Sequence, residues 1–366
     1  MQPIVMVIGT RPEAIKMLPV AQAIRARGLP LIVLTTGQHR QMLDQVFAAF
    51  GETADRDLAL MSPGQTLTDI TARVLTHFGK VLAEIEPSLV LVHGDTTTAM
   101  AAALAAFYAR IPIGHVEAGL RSHDLARPFP EEYNRVGIDA MADFLFAPTD
   151  TPAANLRRES PRERHIHVTG NTGIDALLQI AGRLKGDELA DLPLTDKPLV
   201  LVTGHRRESF GPAFENICRG IARVAAGGGC EVLYPVHLNP EVQGCVRQHL
   251  GGLANVHLID PVDYVTMVAL MKRAHLILTD SGGIQEEAPA LGRPVLVMRE
   301  VTERPEAIAT GVASLVGTDP DAIAREARRL LDDPTYYASR ARAVFPYGDG
   351  KASGRIVAVL AEHFGA

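Results

Sequence analysis

Charged and polar side chains gather in this chain immediately after short apolar runs, where they can reach a ligand without disturbing a core. The apolar run Leu276–Thr279 leads into Asp280-Ser281-Gly282-Gly283-Ile284-Gln285-Glu286-Glu287. That order reads as a strand, a tight loop and a helix N-terminus. Two glycines let the backbone approach a ligand closely, and the free N–H groups and positive dipole end of the helix favour an anion, phosphate first. Glu286 and Glu287 follow one turn later, where a carboxylate can accept hydrogen bonds from sugar hydroxyls. The stretch therefore reads as a nucleotide site, with diphosphate on the loop and ribose on a glutamate. An ordinary strand-to-helix turn, with acids placed for the helix dipole, is the alternative.

Other strand ends carry similar sets. Gly9-Thr10-Arg11-Pro12-Glu13, with Lys16 a turn later, offers a guanidinium, an ammonium and a helix start, so it is either a phosphate site or a capped surface helix. In His93-Gly94-Asp95-Thr96, Asp95 or Thr96 can serve simply as an N-cap. Glu117 closes the apolar run His115-Val116, and a carboxylate there is costly unless it is paired or used. Glu131 and Arg135 stand four apart in Pro128-Phe-Pro-Glu-Glu-Tyr-Asn-Arg135, the spacing of a solvated helical ion pair. Gly204-His205-Arg206-Arg207 stacks potential cations that repel one another unless they share an anion. His237 and Arg304 close or open further elements and read equally as structural groups or as phosphate contacts.

These loops need a scaffold that brings them together. Apolar runs such as Ile4–Gly9, Leu31–Thr35, Ser88–His93 and Ile113–Glu117 alternate with helical spacings, and a second such series begins at Leu199. The alternation predicts α/β architecture: two Rossmann-like domains in tandem, each an open parallel sheet covered by helices, with ligand in the interdomain cleft facing both sets of strand ends. The boundary is placed near Gly170, so residues 1–170 form the first domain and 171–345 the second.

Composition narrows the class. With 366 residues, 47% of them hydrophobic, the chain can build about two well-buried domains. A net charge of −6 argues against a nucleic-acid binder. Cys218, Cys230 and Cys245 lie in no metal or redox spacing and suit a reducing compartment. No secretory signal or membrane-spanning run is read, so a cytoplasmic protein with no membrane partner is expected. Walker, dinucleotide-binding and zinc motifs are absent, and no metal ligand set is expected.

Taken together, the motifs resemble the non-hydrolysing UDP-N-acetylglucosamine 2-epimerases of bacteria. The resemblance runs from Gly9-Thr-Arg-Pro-Glu-Ala-Ile-Lys16 through Gly37-Gln-His-Arg-Gln-Met-Leu43, His93-Gly-Asp-Thr-Thr, His115-Val-Glu-Ala-Gly-Leu-Arg121 and Pro128-Phe-Pro-Glu-Glu-Tyr-Asn-Arg135. It continues through Gly204-His-Arg-Arg-Glu-Ser209, Asp280-Ser-Gly-Gly-Ile-Gln-Glu-Glu-Ala-Pro289, Thr302-Glu-Arg-Pro-Glu306 and Pro346-Tyr-Gly-Asp-Gly350. It implies a GT-B-like fold in which residues 346–366 return to the first domain, a homodimer, and interconversion of UDP-GlcNAc and UDP-ManNAc without NAD or another cofactor. By motif, Asp95, Glu117, Glu131 and His205 fall on catalytic positions. Arg11, Lys16, Arg135, Arg206, His237, Ser281, Gly282, Gly283, Glu287 and Arg304 fall on substrate-binding ones. Gln38, His39 and Gln41 fall where relatives contact a second, activating UDP-GlcNAc. Which carboxylate takes the C2 proton is left open. The rival readings are a GT-B UDP-sugar glycosyltransferase, a hydrolytic 2-epimerase, a 2-epimerase acting on a related UDP-diacetamido sugar, and a non-catalytic UDP-sugar sensor.

Overall fold

A computed structural model describes residues 2–37, 40–62, 64–159, 165–204 and 211–365. The chain divides into two compact units: residues to Gln179 together with those from Tyr347 on, and Ile180–Pro346.

The first unit runs β1 (Ile4–Ile8), α1 (Arg11–Ala26), β2 (Leu31–Thr35), α2 (Arg40–Phe50), β3 (Arg56–Asp57), α3 (Leu67–Ile85), β4 (Leu89–His93), α4 (Thr97–Tyr108) and β5 (Ile113–Val116). It continues with α5 (Glu131–Met141), β6 (Phe144–Ala147), α6 (Asp150–Glu159), β7 (His165–Val168) and α7 (Thr172–Arg183). Its seven strands are parallel in the order β3-β2-β1-β4-β5-β6-β7. Strands β1, β4 and β5 are buried along their whole length. Helices cover both faces of such a sheet, which is why these strands read as unbroken apolar runs rather than as alternating ones.

The second unit runs β8 (Leu199–Thr203), α8 (Pro212–Ala226), β9 (Glu231–Pro235), α9 (Pro240–Leu250), β10 (Val256–Ile259), α10 (Tyr264–Arg273) and β11 (Leu276–Thr279). Then come α11 (Gly282–Ala290), β12 (Val295–Val297), α12 (Pro305–Ala309), β13 (Ala313–Leu315), α13 (Pro320–Asp332) and α14 (Pro334–Arg340). Its sheet order, β10-β9-β8-β11-β12-β13, repeats the topology of the first. Strand order therefore reverses between β1 and β4 in one unit and between β8 and β11 in the other. Ligands of such sheets sit outside the carboxyl ends of the strands at that switch point.

The division falls within α7, after Gln179 rather than at Gly170, so Thr172–Gln179 belong to the first unit and the last turn of the helix to the second. Asp175 of α7 explains the attachment of the last helix, α15 (Ala352–Phe364). The buried Asp175 carboxylate accepts hydrogen bonds from the backbone N–H groups of Ala352 (3.2 Å) and Ser353 (2.7 Å), satisfying donors that the first turn of α15 leaves unpaired. Asp175→Ala is expected to cost about 1–2 kcal/mol, the range for losing a helix cap, read as a lower urea midpoint at unchanged slope. Among the described residues no helix is long and apolar enough to cross a membrane.

Candidate functional site

At the switch point of the first unit, β1 hands the chain to α1 through Gly9 and Thr10. A Cβ on Gly9 would lie 2.8 Å from the Cβ of Thr98 on α4, so only glycine lets the two segments approach. The buried Glu13 joins them chemically. Its Oε2 accepts from the backbone N–H of Gly9 (2.9 Å) and Thr10 (2.5 Å), and its Oε1 accepts from the Thr96 hydroxyl (2.7 Å). Burial raises the Glu13 pKa against these hydrogen bonds, which lower it. The Thr10-x-x-Glu13 spacing is a legible signal for this role, since a glutamate three residues after the cap can turn back onto its N–H groups. Arg11 is exposed at the first position of α1.

Lys16, on the next turn, forms an ion pair with Oε2 of Glu117. Glu117 follows β5 with φ of +70°, a left-handed conformation that is uncommon for a residue other than glycine, asparagine or aspartate. His93, at the end of β4, sets its Nε2 3.7 Å from the same Glu117 oxygen. Burial is the main reason His93 is pushed down to about pH 3; Glu117 opposes the shift and Lys16 adds to it. His93 therefore stays neutral while the imidazole of the unfolded chain takes a proton near 6.5. The unfolded state binds more protons throughout that window, so stability present above pH 6.5 falls as pH drops toward 3. His93→Asn is expected to flatten this part of the stability curve, measured by urea unfolding across the window.

Asp95 follows β4 and Gly94. Its Oδ2 lies 2.5 Å from Nη2 of Arg135, and its carbonyl accepts from Asn134 at 2.8 Å, so α5 is clamped to this loop. Burial raises the Asp95 pKa; Arg135 opposes this, while the charges of Glu117 and Glu131 add to it. The charges of Glu117 and Glu131 thus both reach Asp95. Glu131 opens α5, and its Oε2 is buried with no hydrogen-bond partner among the described residues.

One reading of the sequence is settled here and another changes. Thr96, not Asp95, caps α4, accepting from the Ala99 N–H at 3.0 Å. The pair suggested for Glu131 and Arg135 gives way to contacts of Arg135 with Asp95 and, at 3.4 Å, with buried Glu132.

In the second unit the Thr203 hydroxyl donates to Thr279 Oγ1 (2.7 Å), and the Ser281 N–H donates to the same oxygen (3.0 Å), fixing the end of β11 beside β8. Ser281 is the N-cap residue of α11, which starts at Gly282. Neither Gly282 nor Gly283 has positive φ, so they do not make the tight turn expected from the sequence. Their value is instead the bare first turn they leave. A Cβ on Gly283 would meet nothing nearer than Ser281 Oγ at 4.0 Å, so there is open space beside the first turn of the helix.

The two glutamates of α11 separate in role. Glu286 is buried and paired with Arg304 Nε, so it is a support for that guanidinium rather than a group facing sugar hydroxyls. Glu287 lies 3.5 Å from the Tyr264 hydroxyl. His237 is exposed beyond β9 and its Nδ1 accepts from the Asn239 N–H at 3.1 Å, which removes the core-histidine reading. His205 and Arg206 lie outside the described residues, as do Gln38 and His39; Gln41 lies in α2.

Known proteins resemble this chain over nearly its whole length. The sequence profile of the family described as UDP-N-acetylglucosamine 2-epimerase matches residues 22–361. The UDP-N-acetylglucosamine 2-epimerase of Escherichia coli K12 is 52% identical over 364 residues, covering 97% of each chain. That of Salmonella typhimurium is 51% identical over 364 residues, again covering 97% of each. The crystal structure of UDP-GlcNAc 2-epimerase from Neisseria meningitidis bound to UDP-GlcNAc superposes with a TM-score of 0.92 at 44% identity, covering 98% of this chain and 100% of that one.

Proposed function

The chain belongs to the UDP-N-acetylglucosamine 2-epimerase family, and on that premise we propose how its residues interconvert UDP-GlcNAc and UDP-ManNAc. The α/β fold is GT-B-like, as in its relatives. In this reading UDP leaves C1 to give 2-acetamidoglucal and is re-added after C2 is protonated from the opposite face. No carbonyl adjoins C2, so its proton becomes removable only as positive charge develops at C1. Carboxylates stabilise that oxocarbenium character as they do in glycoside hydrolysis.

The three carboxylates Asp95, Glu117 and Glu131, the last two close enough to act on the first, carry this reading. One is strained, one is held by Arg135, and one has a buried oxygen without a partner. We assign them to the sugar, with Lys16, Arg11 and Arg135 as the surrounding cations and His205 as a fourth catalytic group. The second unit takes the UDP moiety: Ser281, Gly282 and Gly283 with Arg304, Arg206 and His237 toward the diphosphate, Glu287 toward the ribose. Gln38, His39 and Gln41 are assigned to a second, activating nucleotide sugar. The protein works as a cytoplasmic homodimer and needs no cofactor, because the proton and the UDP are both returned.

Proton NMR of UDP-GlcNAc with the purified chain tests the reading. UDP-ManNAc is expected to accumulate to equilibrium without any acceptor. Free ManNAc would indicate hydrolysis, and no change without an acceptor would indicate a glycosyltransferase; either result overturns the proposal.

A further inference from the structure

His115 lies in β5, two residues before Glu117, and is fully buried. Both of its ring nitrogens face oxygen: Nδ1 is 2.6 Å from Asp139 Oδ1, and Nε2 is 2.8 Å from the Gly94 carbonyl. A carbonyl oxygen only accepts. Asp139 also acts only as an acceptor, since its Oδ2 takes hydrogen bonds from the Gly119 N–H (3.1 Å) and from Arg121 Nη1 (2.7 Å). The Arg121 ion pair and the Gly119 N–H both favour the charged form of this carboxylate, which then has no proton to give to His115. A neutral imidazole carries one N–H and would leave one of the two contacts without a proton. Both contacts together require the imidazolium.

The surroundings suit a buried cation. His115 and Arg121 alternate with Asp139 and Glu159, and Arg121 reaches Glu159 through Nε and Nη2 at 2.7–3.1 Å. A buried charge persists when it is paired and its hydrogen bonds are made. The attachment points give the network its meaning. Gly94 immediately precedes Asp95, Gly119 stands two residues after Glu117, and Asp139 lies on α5 with Glu131 and Arg135. A left-handed residue such as Glu117 stays in place only where its neighbours over-determine it.

We propose that His115, held as a buried imidazolium between the Gly94 carbonyl and Asp139, is a positioning residue that fixes the backbone carrying Asp95 and Glu117. The inference rests on the catalytic role given to those two carboxylates above. It adds that one charged ring registers the loops after β4 and β5 to each other and to α5, alongside the Asp95–Arg135 pair.

Two measurements test it. Neutron diffraction on the perdeuterated full chain is expected to show deuterons on both Nδ1 and Nε2 of His115; a single deuteron overturns the assignment. His115→Gln is expected to lower kcat by about 10²-fold through misplacement of the reacting groups, with KM and UDP affinity unchanged and more UDP and 2-acetamidoglucal escaping per epimer formed. Wild-type kcat and product partition in the variant, or a loss confined to KM or to thermal stability, overturns the positioning role. Should the variant not fold, the neutron map decides alone. Failure of the functional reading itself is separate, since it appears as absence of UDP-ManNAc from the wild-type chain.

Discussion

Glu117→Gln is expected to lower turnover by about 10²- to 10⁴-fold, the range for removing a group that moves or steadies a proton in the transition state. Affinity for UDP should stay close to that of the wild type. The substitution keeps shape and removes charge. Lys16 then faces an amide in place of a carboxylate, and the charge that Glu117 places beside Asp95 is removed. Backbone strain supports the assignment, because a glutamate at φ +70° is retained only where something makes the geometry worth its cost. Single-turnover kinetics with isothermal titration of UDP separate the two effects. Wild-type turnover in this variant would take Glu117 out of the reaction.

Gly119→Ala carries the largest expected loss of stability, about 3 kcal/mol or somewhat more, from forced overpacking combined with an unfavourable backbone conformation. Gly119 has φ of +85°, and a Cβ there would lie 2.4 Å from the carbonyl oxygen of Pro152 and 2.8 Å from Leu156 Cγ, both on α6. The carbonyl belongs to helix backbone and cannot rotate away. Gly94→Ala is the matched control. It too has positive φ, +66°, but the nearest neighbour of an added Cβ would be Glu117 Oε1 at 3.8 Å, so only the left-handed penalty of about 1–2 kcal/mol applies. Urea unfolding of both variants checks the pair, and equal midpoints would contradict the steric argument.

The strand ends were the most legible part of the chain, because parallel strands buried on both faces give unbroken apolar runs and the polar loop begins where each run stops. Lys16, Asp95, Glu117 and Ser281 could be picked out on that ground alone. Helices α2 and α6 were not read as elements. In α6 only Pro152, Ala153 and Leu156 are buried, too few apolar positions to set a helical period. The support of the site was also hidden. Glu13 looked like part of a phosphate loop and proved to be a staple between α1 and α4. Glu286 looked like a sugar ligand and proved to hold Arg304. No local spacing marks Asp139, which anchors Gly119, Arg121 and His115. Such contacts depend on which strands become neighbours. Lys16 and Glu117 meet only because strand order places β1, β4 and β5 side by side, and no local spacing encodes that.

Epimerisation of UDP-GlcNAc in D₂O, followed by NMR at C2, tests most directly whether the C2–H bond is broken while UDP departs. Deuterium is expected at C2 of the UDP-ManNAc formed and, at equilibrium, of the UDP-GlcNAc recovered, with free UDP and 2-acetamidoglucal as trace products. UDP-ManNAc that retains protium at C2 throughout would contradict elimination and re-addition.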